Sequence, residues 1–266
     1  MSAYGAMATL VSALDADGLG NETVIGWAAP VPYFGRLSRA RIATVGLNPS
    51  NKEFVSDDGK ALSEASARLP TMGSLNLAAW GSADYCSIRA MLGACEDYFD
   101  VNPYGRWFGV LERLLLESDA SYYGVDASAC HVDVVPFATH AKWGDLPRSA
   151  QVRLLHVGLD ATGLLLRDSQ VEVLVLNGRS VATALRPHLD DLLEMRMPEW
   201  DLIRAAGSTV PGVAYTGKTS RLGSWDLGRE VTVLGWNHNL QSSFGVTAVV
   251  KARIGEWLKA AAGAGL

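Results

Sequence analysis

Basic residues are in short supply. The chain carries 23 Lys and Arg against 28 Asp and Glu, a formal charge of −5 and a pI near 5.5. A broad, sequence-blind nucleic-acid coat needs a basic face, so the charge counts against that class. It does not count against a protein that grips a few phosphates through local loops. Cysteine is scarcer still: Cys86, Cys95 and Cys130 are the only three, and no His stands near them at a zinc-ligand spacing. An odd count without paired motifs argues against a disulfide framework and fits a reducing cytoplasm. No apolar run is long enough to span a bilayer. Residues 1–20 lack a basic segment followed by a long apolar block, so no signal peptide is expected.

Missing motifs narrow the chemistry. No Gly-x-Gly-x-x-Gly follows the first strand-like run, since Gly46 and Gly59 are too widely spaced, which counts against a dinucleotide enzyme. No Gly-x-Ser-x-Gly elbow is present, which counts against a serine hydrolase. No metal-ligand cluster, internal repeat or low-complexity linker is visible. Neither a metal nor an organic cofactor is expected, and the chain reads as a single domain over residues 1–266.

What is present is a globular chain with 48 % hydrophobic residues. Four short runs rich in Val, Ile and Leu read as strands: Arg41–Val45, His131–Val135, Val171–Leu176 and Val231–Trp236. Near-continuous apolar runs suit parallel strands buried on both faces. Helical patterns lie between and after them, at Arg106–Ser118, Ser149–Arg167, Ser180–Leu189 and Thr247–Ala262. Alternating strands and helices predict a doubly wound α/β sheet with right-handed crossovers. Residues 51–103 read as an irregular insertion over the pocket mouth, with helical pieces near Ala61–Leu69 and Ser82–Cys95. Residues 1–40 read as a flanking strand or arm.

Two polar loops follow the first and last of these strands. One is Gly46-Leu47-Asn48-Pro49-Ser50. The other is Asn237-His238-Asn239-Leu240-Gln241-Ser242-Ser243. Loops at the carboxyl ends of parallel strands converge on one crevice, where ligands bind. An Asn-Pro turn and a His-bearing loop are therefore expected to face each other across a pocket. Taken alone, Asn48 could equally close a turn, and His238 and Leu240 could equally be core groups.

The first loop, the run His131 to Pro136, the run Val171 to Gly178 and the loop around His238 occur in the order found in the uracil-DNA glycosylase superfamily. Over roughly residues 40–260 the chain resembles that superfamily, in the form of its mismatch-specific and single-strand-selective branches. Asn102 to Phe108 suits the family's first crossover helix. The resemblance implies a three-layer αβα fold around a central, mostly parallel four-stranded sheet. It also implies a monomeric, monofunctional DNA glycosylase, with DNA as partner and no membrane. Asn48 would hold the attacking water. His238 would hydrogen-bond O2 of the departing base, a contact that strengthens as charge moves onto the ring. Gly46, Ser50, Phe54 and Asp133 would line the base pocket, with Trp80 a second stacking candidate beside Phe54. Leu240 would fill the gap left by the everted base. Asn239, Gln241, Ser242 and Ser243 would contact DNA, and Ser50 would be a further phosphate ligand.

Two departures from the family bear on substrate. A bulky Tyr follows the motif-one Pro in the uracil-selective branch, where it blocks substituents at C5; here that residue is Ser50. The base reader is usually Asn; here it is Asp133. An ionised Asp has only acceptors, which repel uracil O4 but suit the N4 amino group of cytosine. A protonated Asp133 would donate to N3. A cytosine-type base with a C5 substituent is the expected substrate, as in defence against viruses that carry such bases throughout their DNA. Two alternatives stand beside it: a uracil or mismatched-thymine repair glycosylase, and a nucleic-acid-binding module without catalysis.

Overall fold

The computed structural model describes residues 2–15, 19, 23–63, 66–101, 103–204, 207–241 and 245–263. In chain order its elements are α1 (Ser2–Asp15), β1 (Tyr33–Phe34), β2 (Ile42–Gly46), α2 (Tyr85–Glu96), α3 (Tyr98–Val101), α4 (Gly105–Leu116), β3 (Ala129–Asp133), α5 (Arg148–Arg167), β4 (Val173–Asn177), α6 (Arg179–Leu185), β5 (Leu193–Arg196), β6 (Leu202–Ile203), β7 (Thr209–Val210), β8 (Val213–Leu222), β9 (Trp225–Trp236) and α7 (Ala248–Gly263). Among the described residues no helix is long and apolar enough to cross a membrane.

The main sheet has seven strands in the order β1-β3-β2-β4-β9-β8-β5. The four strands expected from sequence form its parallel centre, β3-β2-β4-β9. Every residue of β2 and β3 is buried, as strands covered on both faces require. The expected four-stranded sheet is too small. The short β1 pairs antiparallel with β3, and on the far side β8 pairs antiparallel with β9 and β5 antiparallel with β8. The Val231–Trp236 run is only the inner half of β9, whose outer half pairs with β8 beyond the four-strand core.

Helices form two packed groups, α1 against α5 and α4 against α7. The α5 stripe of Leu154, Leu159, Leu165 and Leu166 is buried, at about 1.5–3 kcal/mol per side chain. Gly158 lets this helix approach the sheet, since a Cβ there would lie 1.9 Å from the Val134 carbonyl oxygen. Where a flanking strand or arm is expected over residues 1–40, the described residues form the helix α1 and the two-residue strand β1. No α-helix forms near Ala61–Leu69 among the described residues, whereas α2 forms with Asp84 as its cap, accepting from the Ser87 N–H at 2.8 Å.

Register sets the site. Gly46 pairs with Asp133, and Asn177 pairs with Trp236, so four strand ends stand side by side. The chain moves from β2 out to β3, then back across to β4. That reversal is the place where an open α/β sheet leaves a crevice for ligands.

Candidate active site

A groove of about 430 Å³ opens at these strand ends, lined by Asn48, Asp133, Asn177, Asn239 and Gln241 among others. Asn48, Trp107 and Asp133 also line an adjoining cavity of about 60 Å³, with the rings of Phe34, Tyr104 and Phe108. Aromatic walls with a few convergent polar groups are what a planar base needs. The aromatic wall belongs to a larger cluster. Phe108 packs against Phe34 at 5.3 Å between ring centroids, Tyr98 at 5.5 Å and His131 at 5.3 Å.

Asn48 is half-buried at the junction of groove and cavity. Its Nδ2 donates to Thr139 Oγ1 at 3.1 Å and to the Pro49 carbonyl at 3.2 Å. The Thr139 hydroxyl spends its own proton on the Ala141 carbonyl at 2.7 Å, so its oxygen can only accept from Asn48. Both amide hydrogens of Asn48 are thereby engaged, and the free end of the side chain is the acceptor Oδ1. An amide oxygen is barely basic, so such a group can orient a water but cannot deprotonate one.

Two carboxyls line the small cavity, Asp133 and Glu53, each 3 % exposed. His131 Nε2 lies 3.3 Å from Asp133 Oδ1, and His131 Nδ1 lies 2.7 Å from Thr44 Oγ1. With the proton on Nε2, His131 donates to Asp133 and accepts from Thr44. Gly46 makes this contact possible. A Cβ at Gly46 would stand 2.2 Å from Asp133 Oδ1 and 2.8 Å from His131 Nε2. Glu53 Oε2 accepts from the Tyr98 hydroxyl at 2.8 Å, and Arg68 Nε stands 3.9 Å away. Burial pushes the Glu53 carboxyl up to about 7; the Tyr98 hydrogen bond and Arg68 pull it down, and the charge of Asp133 pushes it further up. Near neutrality the cavity thus contains a carboxyl able to hold or release a proton.

The structure brings Gly46, Asn48, Ser50, Asp133, Asn239 and Gln241 to these hollows. Ser50 also caps the short helical turn Asn51–Glu53, accepting from the Lys52 N–H at 3.2 Å. Asn177 Oδ1 and Gln241 Nε2 are buried polar atoms without a hydrogen-bond partner among the described residues, an acceptor and a donor left for a ligand. Ser242 and Ser243 lie outside the described residues, as does Asn102.

Four expected roles fail on position. His238 is 3 % exposed and is not among the lining residues of the groove, although Asn237 and Asn239 are. Its Nε2 donates to the Trp200 carbonyl at 2.7 Å, and burial holds its pKa below the usual range, so the ring is neutral and already engaged. Leu240 is 1 % exposed, an anchor in the core and not a protruding wedge. Phe54 is buried edge-on to Trp27, with ring centroids 6.2 Å apart, and lines neither hollow. Trp80 is buried and donates its indole N–H to the Gly26 carbonyl at 2.7 Å.

Sequence reading missed Glu53, Thr139 and the aromatic wall. A lone Glu carries no signal for burial, because most are exposed. Trp107 and Phe108 belong to an amphipathic stripe that reads as ordinary helix packing. His131, which the sequence offers only as part of a strand, lines the cavity. Comparison with known families finds no family model that matches the chain, and comparison with curated proteins finds no match.

Proposed function

We propose that this chain is a monofunctional DNA glycosylase that severs an everted cytosine-type base from deoxyribose. The observation that carries the proposal is the meeting of Asn48, with its amide oxygen left free, and two buried carboxyls in one aromatic-walled cavity. In this reading the base enters between the aromatic rings. Asp133 accepts from its N4 amino group. Glu53 in its protonated form donates to N3. As the C1′–N1 bond breaks, its electron pair moves onto the ring and the Glu53 proton neutralises it. The water held by Asn48 adds to C1′ and gives its surplus proton to solvent. Leaving-group stabilisation then rests on Glu53 and not on His238. Ser50, small and exposed at the cavity rim, leaves space for a C5 substituent. The same reading sets the two helix groups on opposite faces of the sheet in a three-layer arrangement.

The test is a panel of oligonucleotides bearing cytosine, 5-hydroxymethylcytosine, its glucosylated form or uracil, single- and double-stranded, assayed for free base and alkali-labile sites. Release of a cytosine-type base, lost in Asn48→Ala, is expected. Release of uracil alone overturns the base assignment, and no release from any substrate overturns the activity.

The engagement of His238 with the Trp200 carbonyl favours a second reading, a nucleic-acid-binding module that does no chemistry. It predicts retention of DNA without abasic products, and equal retention by Asn48→Ala.

A further inference from the structure

A hollow larger than the one at the strand ends lies beside it. A channel of about 800 Å³ runs between α5 and α6, and Trp143, Arg179 and Ser180 line both it and the groove. Trp143 and Lys142 also line a smaller hollow of about 180 Å³ that contains Asn48 and Ser50. The three spaces therefore meet around Trp143.

Charge in this region is opposite to that of the chain. Lys142, Arg148 and Arg179 line these spaces, and among the described residues none of the three has a carboxylate partner. Among the described residues the one carboxylate lining the channel, Asp160, accepts from the Ser224 N–H at 2.8 Å. The floor is apolar, with Leu155 and Leu159 buried and Val152 53 % exposed. Trp143 is half-buried, and its carbonyl accepts from Gln151 Nε2 at 2.8 Å, which ties its turn to α5. Unpaired cations along an apolar floor, with an indole at the entrance, match a polymer that has anionic links and flat apolar faces.

We propose that the α5–α6 channel binds single-stranded DNA flanking the everted nucleotide, with phosphates on Lys142, Arg148 and Arg179 and one base against Trp143. This proposal rests on the glycosylase reading only in taking DNA as the ligand. The acidic balance of the chain limits the contact to a stripe one strand wide. Three phosphate contacts to a single strand give a slope of log affinity against log salt of about −2.

Fluorescence anisotropy with an unmodified 20-nucleotide single strand tests this, using Lys142→Gln/Arg148→Gln/Arg179→Gln, Trp143→Ala, and a control bearing Arg113→Gln/Lys259→Gln. The triple variant should lose about tenfold or more in affinity near 50 mM salt, with its salt slope flattened by about 2. Trp143→Ala should weaken binding with an unchanged slope, and the control should match wild type. Equal losses in the control and the triple variant overturn the proposal. So does a triple variant with wild-type affinity. Charge-dependent binding without base release from any substrate sinks the glycosylase reading and leaves the channel standing. Base release with channel-independent binding does the reverse.

Discussion

Thr139 holds Asn48 in one of two possible amide orientations. The hydroxyl gives its proton to the Ala141 carbonyl, so it can face only the Nδ2 end of Asn48. The acceptor oxygen is thereby fixed without any contact to it. Thr139→Val keeps the shape and removes the acceptor. Excision by that variant should fall about ten- to a hundredfold in kcat, by the loss of water positioning, with KM little changed. Thr139→Ser should restore most of the rate. If Thr139→Val is as active as wild type while Thr139→Ser is not, the orientation argument fails.

Glu53 predicts a pH dependence with a defined sign. Its proton is needed for the leaving base and its pKa is about 7 in the folded protein, so excision should fall about tenfold per pH unit above 7. Glu53→Gln should be slow and flat across that range. Stability follows the same group. A carboxyl raised from an ordinary 4.5 to about 7 favours the folded state fully below pH 4.5, and that contribution is lost as pH rises through 7. The loss is on the order of 3 kcal/mol. Denaturant titrations of wild type and Glu53→Gln at pH 5 and pH 8.5 measure it. The gap between them should shift in favour of Glu53→Gln at the higher pH.

Gly46 is fixed by space. Its neighbour across the register is Asp133, whose Oδ1 would meet an added Cβ at 2.2 Å. Gly46→Ala should displace Asp133 from His131 and disturb the cavity, at about 1–3 kcal/mol of strain. Excision of a cytosine-type base should collapse in a protein that still folds at 25 °C. Wild-type excision by Gly46→Ala would remove Asp133 from base reading.

The four parallel strands were legible because both faces are covered, which writes Val, Ile and Leu without alternation. Strand β8 was not, because its exposed residues Lys218, Ser220 and Arg221 break any apolar run. Asn48 and Asp133 were legible because register places strand ends together and a loop of fixed length follows each. Direction within a loop was not. His238 and Leu240 share a stretch with Asn237 and Asn239, and nothing in residue type says which of the four turn inward. Glu53 was hidden because its burial depends on Tyr98 and Arg68, supplied by distant segments.

The inward turn of the last loop yields the sharpest division between structure and chemistry. Leu240 is packed in the core, so Leu240→Ala should cost about 2–5 kcal/mol of stability. At a temperature where the variant stays folded, its excision of an oligonucleotide substrate should remain within a few-fold of wild type. A wedge would give the opposite pattern, full stability with weakened excision. His238→Ala strands the Trp200 carbonyl and should cost about 1–3 kcal/mol. Its kcat should change little if Glu53 serves the leaving base. A loss in kcat of a thousandfold with unchanged stability would return His238 to the reaction, because only a ring that swings off Trp200 onto the substrate could produce it.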